Sequence, residues 1–419
     1  MASFLRKFLT NFAWVSTGST LSTLINFVSS LLIVLNISVF DYGLLVLSLS
    51  VVGILGLFLT FGLGPVISSD IAQELGKKRV DRAKEMLFSY ARLTFTMGVI
   101  IASLLFLFSD NAADFLSRPE VSWLLQIAAL MLFLEGITYF VKTAFQASMH
   151  FKYLSIMGIV ESISRFALIL GFISLGAFDL GVAFLCYPLS LAASALVASV
   201  FLVKSMRIYK GVKPTKEGLL KKIAFGHGKF IIIQQPFKTV ADNAPVWIIE
   251  FLLGVTAVGI YAIARRVYSF IRIYLGSIEN VLIPSISYEF VRNKARVRRI
   301  FTRGVKYGFF VSSVFLLLAV ISIGPMLSFL GLEKYYPSIP VFKVIVLNLL
   351  IVSVSYLFRP LFFALKAQKE LMIMYIISTF SLILLLFVFV SMFQSPVGTA
   401  VAIVLNGAIF VFVGYWVLV

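Results

Sequence analysis

The 419-residue sequence contains one cysteine and two histidines, and only 13% of its residues are charged. A single Cys186 cannot form a disulfide within the chain, so the redox compartment stays open. His150 and His227 lie far apart, and with one thiol they argue against a metal centre. No glycine-rich motif of the phosphate-cradling type is present, so ATP is not an obvious driver. Long polar gaps are also missing. Connections such as DNAADFLSRPE (110–120) and QSPVG (394–398) are too short to carry the catalytic acids and bases of an exposed enzymatic loop.

What the sequence has in abundance is apolar residues, at 60%, with a mean hydropathy of +1.03. Soluble domains run at about 25% charged. Runs of about 20 apolar residues suffice to cross a bilayer. The pattern predicts an all-α polytopic membrane protein with twelve spans, near 11–35, 43–66, 87–109, 121–141, 154–176, 181–203, 226–248, 256–284, 305–330, 339–363, 371–393 and 398–419. The basic start of the chain is that of a signal peptide, but the apolar region after it far exceeds the usual length. It reads as an uncleaved first span.

The net charge of +18 is unevenly placed. Alternate connections carry 25 of the 36 Lys and Arg, and the opposite connections carry two, Arg118 and Lys334. By the positive-inside rule this bias predicts a cytoplasmic N-terminus and cytoplasmic basic loops. The basic surplus is thus topogenic, and no nucleic-acid partner is expected, because no basic patch with interleaved aromatics lies outside the membrane-flanking loops.

The longest internal polar stretch, KSMRIYKGVKPTKEGLLKK (204–222), has six spans on each side and reads as a hinge. It divides the chain into an N-terminal bundle (1–203), a cytoplasmic basic linker (204–222) and a C-terminal bundle (223–419). Features recur across it. PVISSDI (65–71) corresponds to PSISYEF (284–290) at an offset of 219, and Gly43 in DYGLLVLSLS corresponds to Gly259 in AVGIYAIARR at an offset of 216. Six is an even number, so such repeats are parallel, related by a pseudo-two-fold axis along the membrane normal, with an interface that encloses a central cavity.

A charge at the bilayer centre costs about 2.5 kcal/mol or more, so it is kept where it faces protein or water. The bases within or near spans are Arg92, Arg165, Lys229, Lys238, Arg265, Arg266, Arg272, Lys343 and Arg359; the acids are Glu135, Glu161, Asp242, Glu250 and Glu279. Lys229, Lys343 and Glu250 lie near span ends and can snorkel. In the eighth span Tyr261, Arg265, Tyr268, Arg272 and Glu279 share a stripe about 60° wide at 100° per residue. That stripe either pairs with neighbouring helices or walls an aqueous chamber. Glu161 and Arg165 are spaced to neutralise each other. Arg92 fits a cytoplasmic-side position as well as a chamber. Glu135 has no helical neighbour of opposite sign closer than Lys142, so it needs a partner elsewhere or a proton. Lys238 and Asp242, also four apart, are flanked by Pro236 and Pro245, whose freed carbonyls need water or protein groups. A cavity-lining helix and a buried structural pair both fit.

FDYGLLVLSLSVVGILGLFLTFGLGPVISSDIAQELGKKR (40–79), DNAPVWIIEFLLGVTAVGIYAIARRVYSF (242–270) and VLIPSIS (281–287) resemble polysaccharide-biosynthesis flippases of the Wzx type, in the multidrug/oligosaccharidyl-lipid/polysaccharide exporter superfamily. Relatives often have fourteen helices where twelve are counted here. The resemblance implies two six-helix bundles around a V-shaped central cavity, alternating access, and a plasma-membrane transporter rather than an enzyme. It would move a lipid (di)phosphate-linked saccharide to the outer leaflet and work beside polysaccharide-assembly proteins. On that reading Arg265, Arg272, Lys238, Arg92 and Arg165 hold phosphate oxygens, and Tyr261 and Tyr268 offer ring faces to sugars. Asp242, Glu135 and Glu161 are candidates for coupling to a proton or sodium ion, with no other cofactor. The rivals are a drug or organic-cation antiporter of the same superfamily and a membrane-embedded glycan polymerase or transferase. Bases outnumber acids in the spans, which favours an anionic cargo.

Overall fold

The computed structural model describes residues 2–115, 118–226, 228–272, 294–358, 361–362, 365 and 367–418. Glu279, Arg359, His227 and the PSISYEF motif lie outside the described residues. Among those described every regular element is helical, and ten helices are long and apolar enough to cross a membrane. Lys229–Leu253 is not among the ten. Its Gln, Lys, Asp and Asn side chains and two internal prolines interrupt its apolar character.

The chain divides into two compact units, residues 1–37 with 48–235, and residues 38–47 with 236–419. In the N-terminal unit α1 (Ala2–Asn36) packs on α7 (Phe151–Ser174), and α4 (Val80–Leu107) on α6 (Ser122–Ala147). α8 (Leu180–Ser205) packs on both α6 and α7. α2 (Val39–Thr60) enters this unit from residue 48 and leads to α3 (Gly64–Gly76), which packs on α4 and α6, as the short α5 (Ser109–Phe115) packs on α6. Most of these helices leave large apolar side chains exposed on their outer faces, as spans in hydrocarbon do.

The polar linker is not a free hinge. Lys84 on α4 donates to the carbonyls of Tyr209 and Val212 at 3.1 and 2.7 Å. The Glu85 carboxylate, only 7% exposed, accepts the backbone N–H groups of Glu217, Gly218 and Leu219 at 3.1, 2.8 and 3.1 Å, together with the Thr215 hydroxyl. Glu85 thereby satisfies two of the orphan donors that open α9 (Leu219–Phe225). Leu219 and Ile223 of α9 then enter a core with Ile67, Ile71, Leu87 and Tyr90. The linker is part of the N-terminal unit for this reason, and the unit boundary falls beyond it, at Gln235 and Pro236 inside α10 (Lys229–Leu253). Pro236 lacks the N–H that would continue the helical ladder.

In the C-terminal unit α10 is followed by α11 (255–272), α12 (Lys294–Phe329), α13 (Ser338–Ile345), α14 (Asn348–Ser355), α15 (Gln368–Phe393) and α16 (Pro396–Leu418). α13 and α14 are one predicted span broken at Val346–Leu347, where the chain tightens into i→i+3 bonds. Ala244 and Ile248 of α10 pack with Leu382, Leu386 and Ala402 of α15 and α16.

The 216-residue offset has a physical counterpart in this unit. A Cβ on Gly43 would lie 2.2 Å from the carbonyl oxygen of Val255, and a Cβ on Gly259 would lie 2.2 Å from that of Val39. Positions 39 and 43 plus 216 give 255 and 259, so the first turns of α2 and α11 cross through one contact made twice. A reciprocal contact of this kind is the signature of a local two-fold.

Two outcomes are expected. Gly259→Ala should destabilise the detergent-solubilised protein by about 1–3 kcal/mol through overpacking, while Gly324→Ala, at a helical site with nothing within 4 Å of the new Cβ, should be neutral or slightly stabilising in the same melting experiment. Glu85→Ala should cost about 1–3 kcal/mol by orphaning buried donors and should expose residues 209–219 to limited proteolysis; an unchanged digestion pattern would contradict the clamp.

Candidate functional site

Five helical segments of the C-terminal unit each turn one stripe toward a common cavity of about 400 Å³. α10 contributes Lys238, Ala241, Asp242 and Pro245, at the i, i+3, i+4, i+7 spacing of one helical face. α11 contributes Tyr261, Arg265, Tyr268, Ser269 and Arg272. The broken pair α13–α14 adds Ile345, Asn348, Ser355 and neighbours, α15 adds Tyr375, Ser378 and Thr379, and α16 adds Asn406, Gly407 and Phe410. All of these lining residues belong to one unit.

Six of the residues expected to bind substrate or couple an ion therefore meet in one place. Asp242 and Arg272 are exposed, and Lys238 and Arg265 are half-buried. None of these four forms an ion pair within 4.0 Å with another described residue. Lys238 and Asp242 are thus not a closed intrahelical pair, which agrees with the less favourable order of their charges along the helix. Among the described residues, three cations and one carboxylate border a space with room for water.

The two tyrosines border the cavity in a different manner from the one expected. Tyr261 is 1% exposed and Tyr268 is 4% exposed, so their ring faces are packed rather than offered. Tyr268 accepts a hydrogen bond at 3.1 Å from Asn348, whose position at the helix break brings its amide to the cavity wall.

The other four expected residues lie in the N-terminal unit. There Arg165 donates to Glu161 at 2.9 Å, to Asn26 at 3.1 Å and to Ser190 at 3.3 Å, with its guanidinium 4.4 Å from the Tyr187 ring centroid. Lys142 lies 4.0 Å from the second Glu161 oxygen. The spacing that predicted self-neutralisation is realised and supplemented from three other helices. Glu135 is half-buried and stands where a side chain on Gly56 would meet its carboxylate at 3.3 Å. Arg92 is exposed on α4.

Sequence reasoning missed the uncharged half of the cavity wall. Asn406 accepts from Ser381 at 2.6 Å and donates to Ser378 at 3.0 Å. Thr379 donates to the carbonyl of Phe237 at 3.0 Å, joining α15 to α10. The signal that could have found this wall was the occurrence of Ser378, Ser381 and Asn406 inside otherwise apolar spans.

The sequence profile described as "Polysaccharide biosynthesis protein" matches residues 8–290, so the chain belongs to that family. No curated protein matches it. Its fold is that of the MATE transporters. A multidrug resistance MATE family transporter of the MOP superfamily, in an inward-facing conformation, is 17% identical, with 94% of this chain and 93% of that one covered and a TM-score of 0.80. A MOP superfamily transporter from Pyrococcus furiosus Vc1 (DSM3638), described as having a binding pocket of reverse polarity, is 15% identical over 97% and 94% of the two chains, with a TM-score of 0.72. A MATE protein in the bent conformation is 15% identical over 97% and 93% of the two chains, with a TM-score of 0.67.

The Arg165 cluster gives a stability prediction. Glu161→Ala should destabilise the protein by about 3–5 kcal/mol at most, because it leaves a desolvated guanidinium. The double change with Arg165→Ala should cost less than the sum of the single changes by at least about 0.5 kcal/mol in a double-mutant cycle. Additive single effects would show that the pair is not coupled.

Proposed function

We propose that this membrane protein is a flippase that moves a lipid (di)phosphate-linked saccharide from the cytoplasmic to the outer leaflet by alternating access. The observation that carries this reading is the C-terminal cavity, where, among the described residues, Lys238, Arg265 and Arg272 border the same space as one acid, Asp242, with no ion pair within 4.0 Å. Cations held out of ion pairs in a span attract an anionic group, and guanidinium hydrogen bonds to phosphate oxygens are charge-assisted. Membership in a polysaccharide biosynthesis family supports a saccharide-bearing cargo. The apolar tail has no need of the cavity and stays in lipid.

Direction follows from the membrane potential. With a negative interior, each net negative charge carried outward gains roughly 2.3 kcal/mol per 100 mV. The basic loops place the N-terminus in the cytoplasm of a plasma membrane on this reading. Asp242, in the cavity, is the first candidate to couple a proton or sodium ion, ahead of Glu135 and of Glu161, which Arg165 and Lys142 already neutralise.

A second reading, an organic-cation antiporter, is favoured by Asp242 and by the likeness to a multidrug transporter. The neighbour of reverse pocket polarity is a reason to let the cavity's own charges decide between them.

Purified protein in liposomes carrying a fluorescent polyprenyl diphosphate saccharide separates the two. Arg265→Ala and Arg272→Ala should each reduce head-group translocation at least about tenfold, the loss of roughly one charge-assisted bond, while the proteins remain folded and inserted. Unchanged translocation in both variants would defeat the cationic site. Organic-cation-driven ion flux in the same vesicles, abolished by Asp242→Asn, would favour the antiporter.

A further inference from the structure

The cavity has two chemically distinct walls, one cationic and one uncharged. On α15, Leu371, Tyr375, Ser378 and Leu382 form one stripe; on α16, Ile403, Asn406, Gly407 and Phe410 form another. The Tyr375 and Phe410 rings are 5.7 Å apart at a tilt of 57°. Both are half-buried and border the cavity, unlike Tyr261 and Tyr268, whose rings are sealed. Beside them, one turn away on α16, stands Asn406.

The Asn406 amide donates one N–H to Ser378 and accepts one bond from Ser381. An amide has two N–H donors and two oxygen lone pairs, so one of each remains for a ligand. Ser378 and Ser381 fix the orientation of the amide and determine which edge it presents. An apolar ring surface next to an oriented donor and acceptor pair matches a pyranose, which has a C–H face and an equatorial rim of hydroxyls.

We infer that the α15–α16 wall, Tyr375, Phe410, Asn406 and Ser378, is a saccharide subsite that reads the sugar nearest the phosphate. This rests on the reading of Arg265 and Arg272 as the phosphate-holding wall. At about 400 Å³ the cavity is at the small end of the range for one drug-sized ligand. It admits the phosphate-proximal sugar and leaves the remainder of a longer glycan outside. Asn406 and Tyr375 are then specificity determinants, whereas a purely helix-joining role for the Asn406–Ser378–Ser381 bonds would affect stability and all ligands alike.

The test is equilibrium binding in nanodiscs to two sets of probes with the same charged group: a bare polyprenyl diphosphate, and polyprenyl diphosphates carrying one hexose or one N-acetylhexosamine. Wild-type protein should bind at least one glycosylated carrier about tenfold more tightly than the bare one. Asn406→Leu and Tyr375→Leu should each erase most of that preference while changing affinity for the bare carrier less than about twofold. Arg272→Ala should weaken both carriers. Phe410→Leu and Asn406→Ala replace any variant whose melting profile shows misfolding. A wild-type protein without preference, or a preference untouched by the wall variants, overturns the subsite and leaves the cationic reading intact. Lost preference in Asn406→Leu with Arg265→Ala and Arg272→Ala both silent supports the subsite and removes the phosphate wall instead.

Discussion

A charged side chain within a hydrocarbon layer must find either a counter-charge or water, since its cost at the helix centre is about 2.5–3.5 kcal/mol on insertion scales. The two units of this chain meet that constraint in opposite ways. In the N-terminal unit Arg165 is surrounded by Glu161, Asn26, Ser190 and Tyr187, so that its donors are used internally. In the C-terminal unit Lys238, Asp242, Arg265 and Arg272 border an open cavity and form no ion pair with described residues. One arrangement uses its charge to join helices; the other leaves its charges bordering a space large enough for water.

The helices that carry these groups are positioned by small residues and by backbone irregularities. Gly43 and Gly259 allow the first turns of α2 and α11 to cross at carbonyl contact. The break between α13 and α14 puts Asn348 at the cavity wall, where a continuous helix would present a different phase. Pro236 and Pro245 leave carbonyls on α10 without their usual partners, which is tolerable beside a polar cavity and costly in lipid. The site and the departures from regular helix therefore occur together.

Much of this was legible along the chain. Periodicity of 100° per residue put Tyr261, Arg265, Tyr268 and Arg272 on one stripe, and the same four border one cavity. The i, i+4 spacing of Glu161 and Arg165 gave their bond. The 216 offset appeared as a reciprocal glycine contact. The linker's polarity says only that it meets water; its ties to Lys84 and Glu85 come from residues more than 120 positions away. Tyr261 and Tyr268 were read as exposed ring faces, since a stripe position does not tell how deeply a neighbouring helix covers it.

The sequence by itself determined that this is a multi-span helical membrane protein and which side chains share a helical face. These follow from local spacing and from the length of apolar runs. Only the tertiary structure decided which charges are neutralised, where the unit boundary crosses α10, and that Asn406, Ser378, Tyr375 and Phe410 join the cationic stripe around one cavity. The physical reason is that pairing and exposure depend on what the opposite helix presents, and in a bundle that helix is brought there by packing rather than by proximity along the chain.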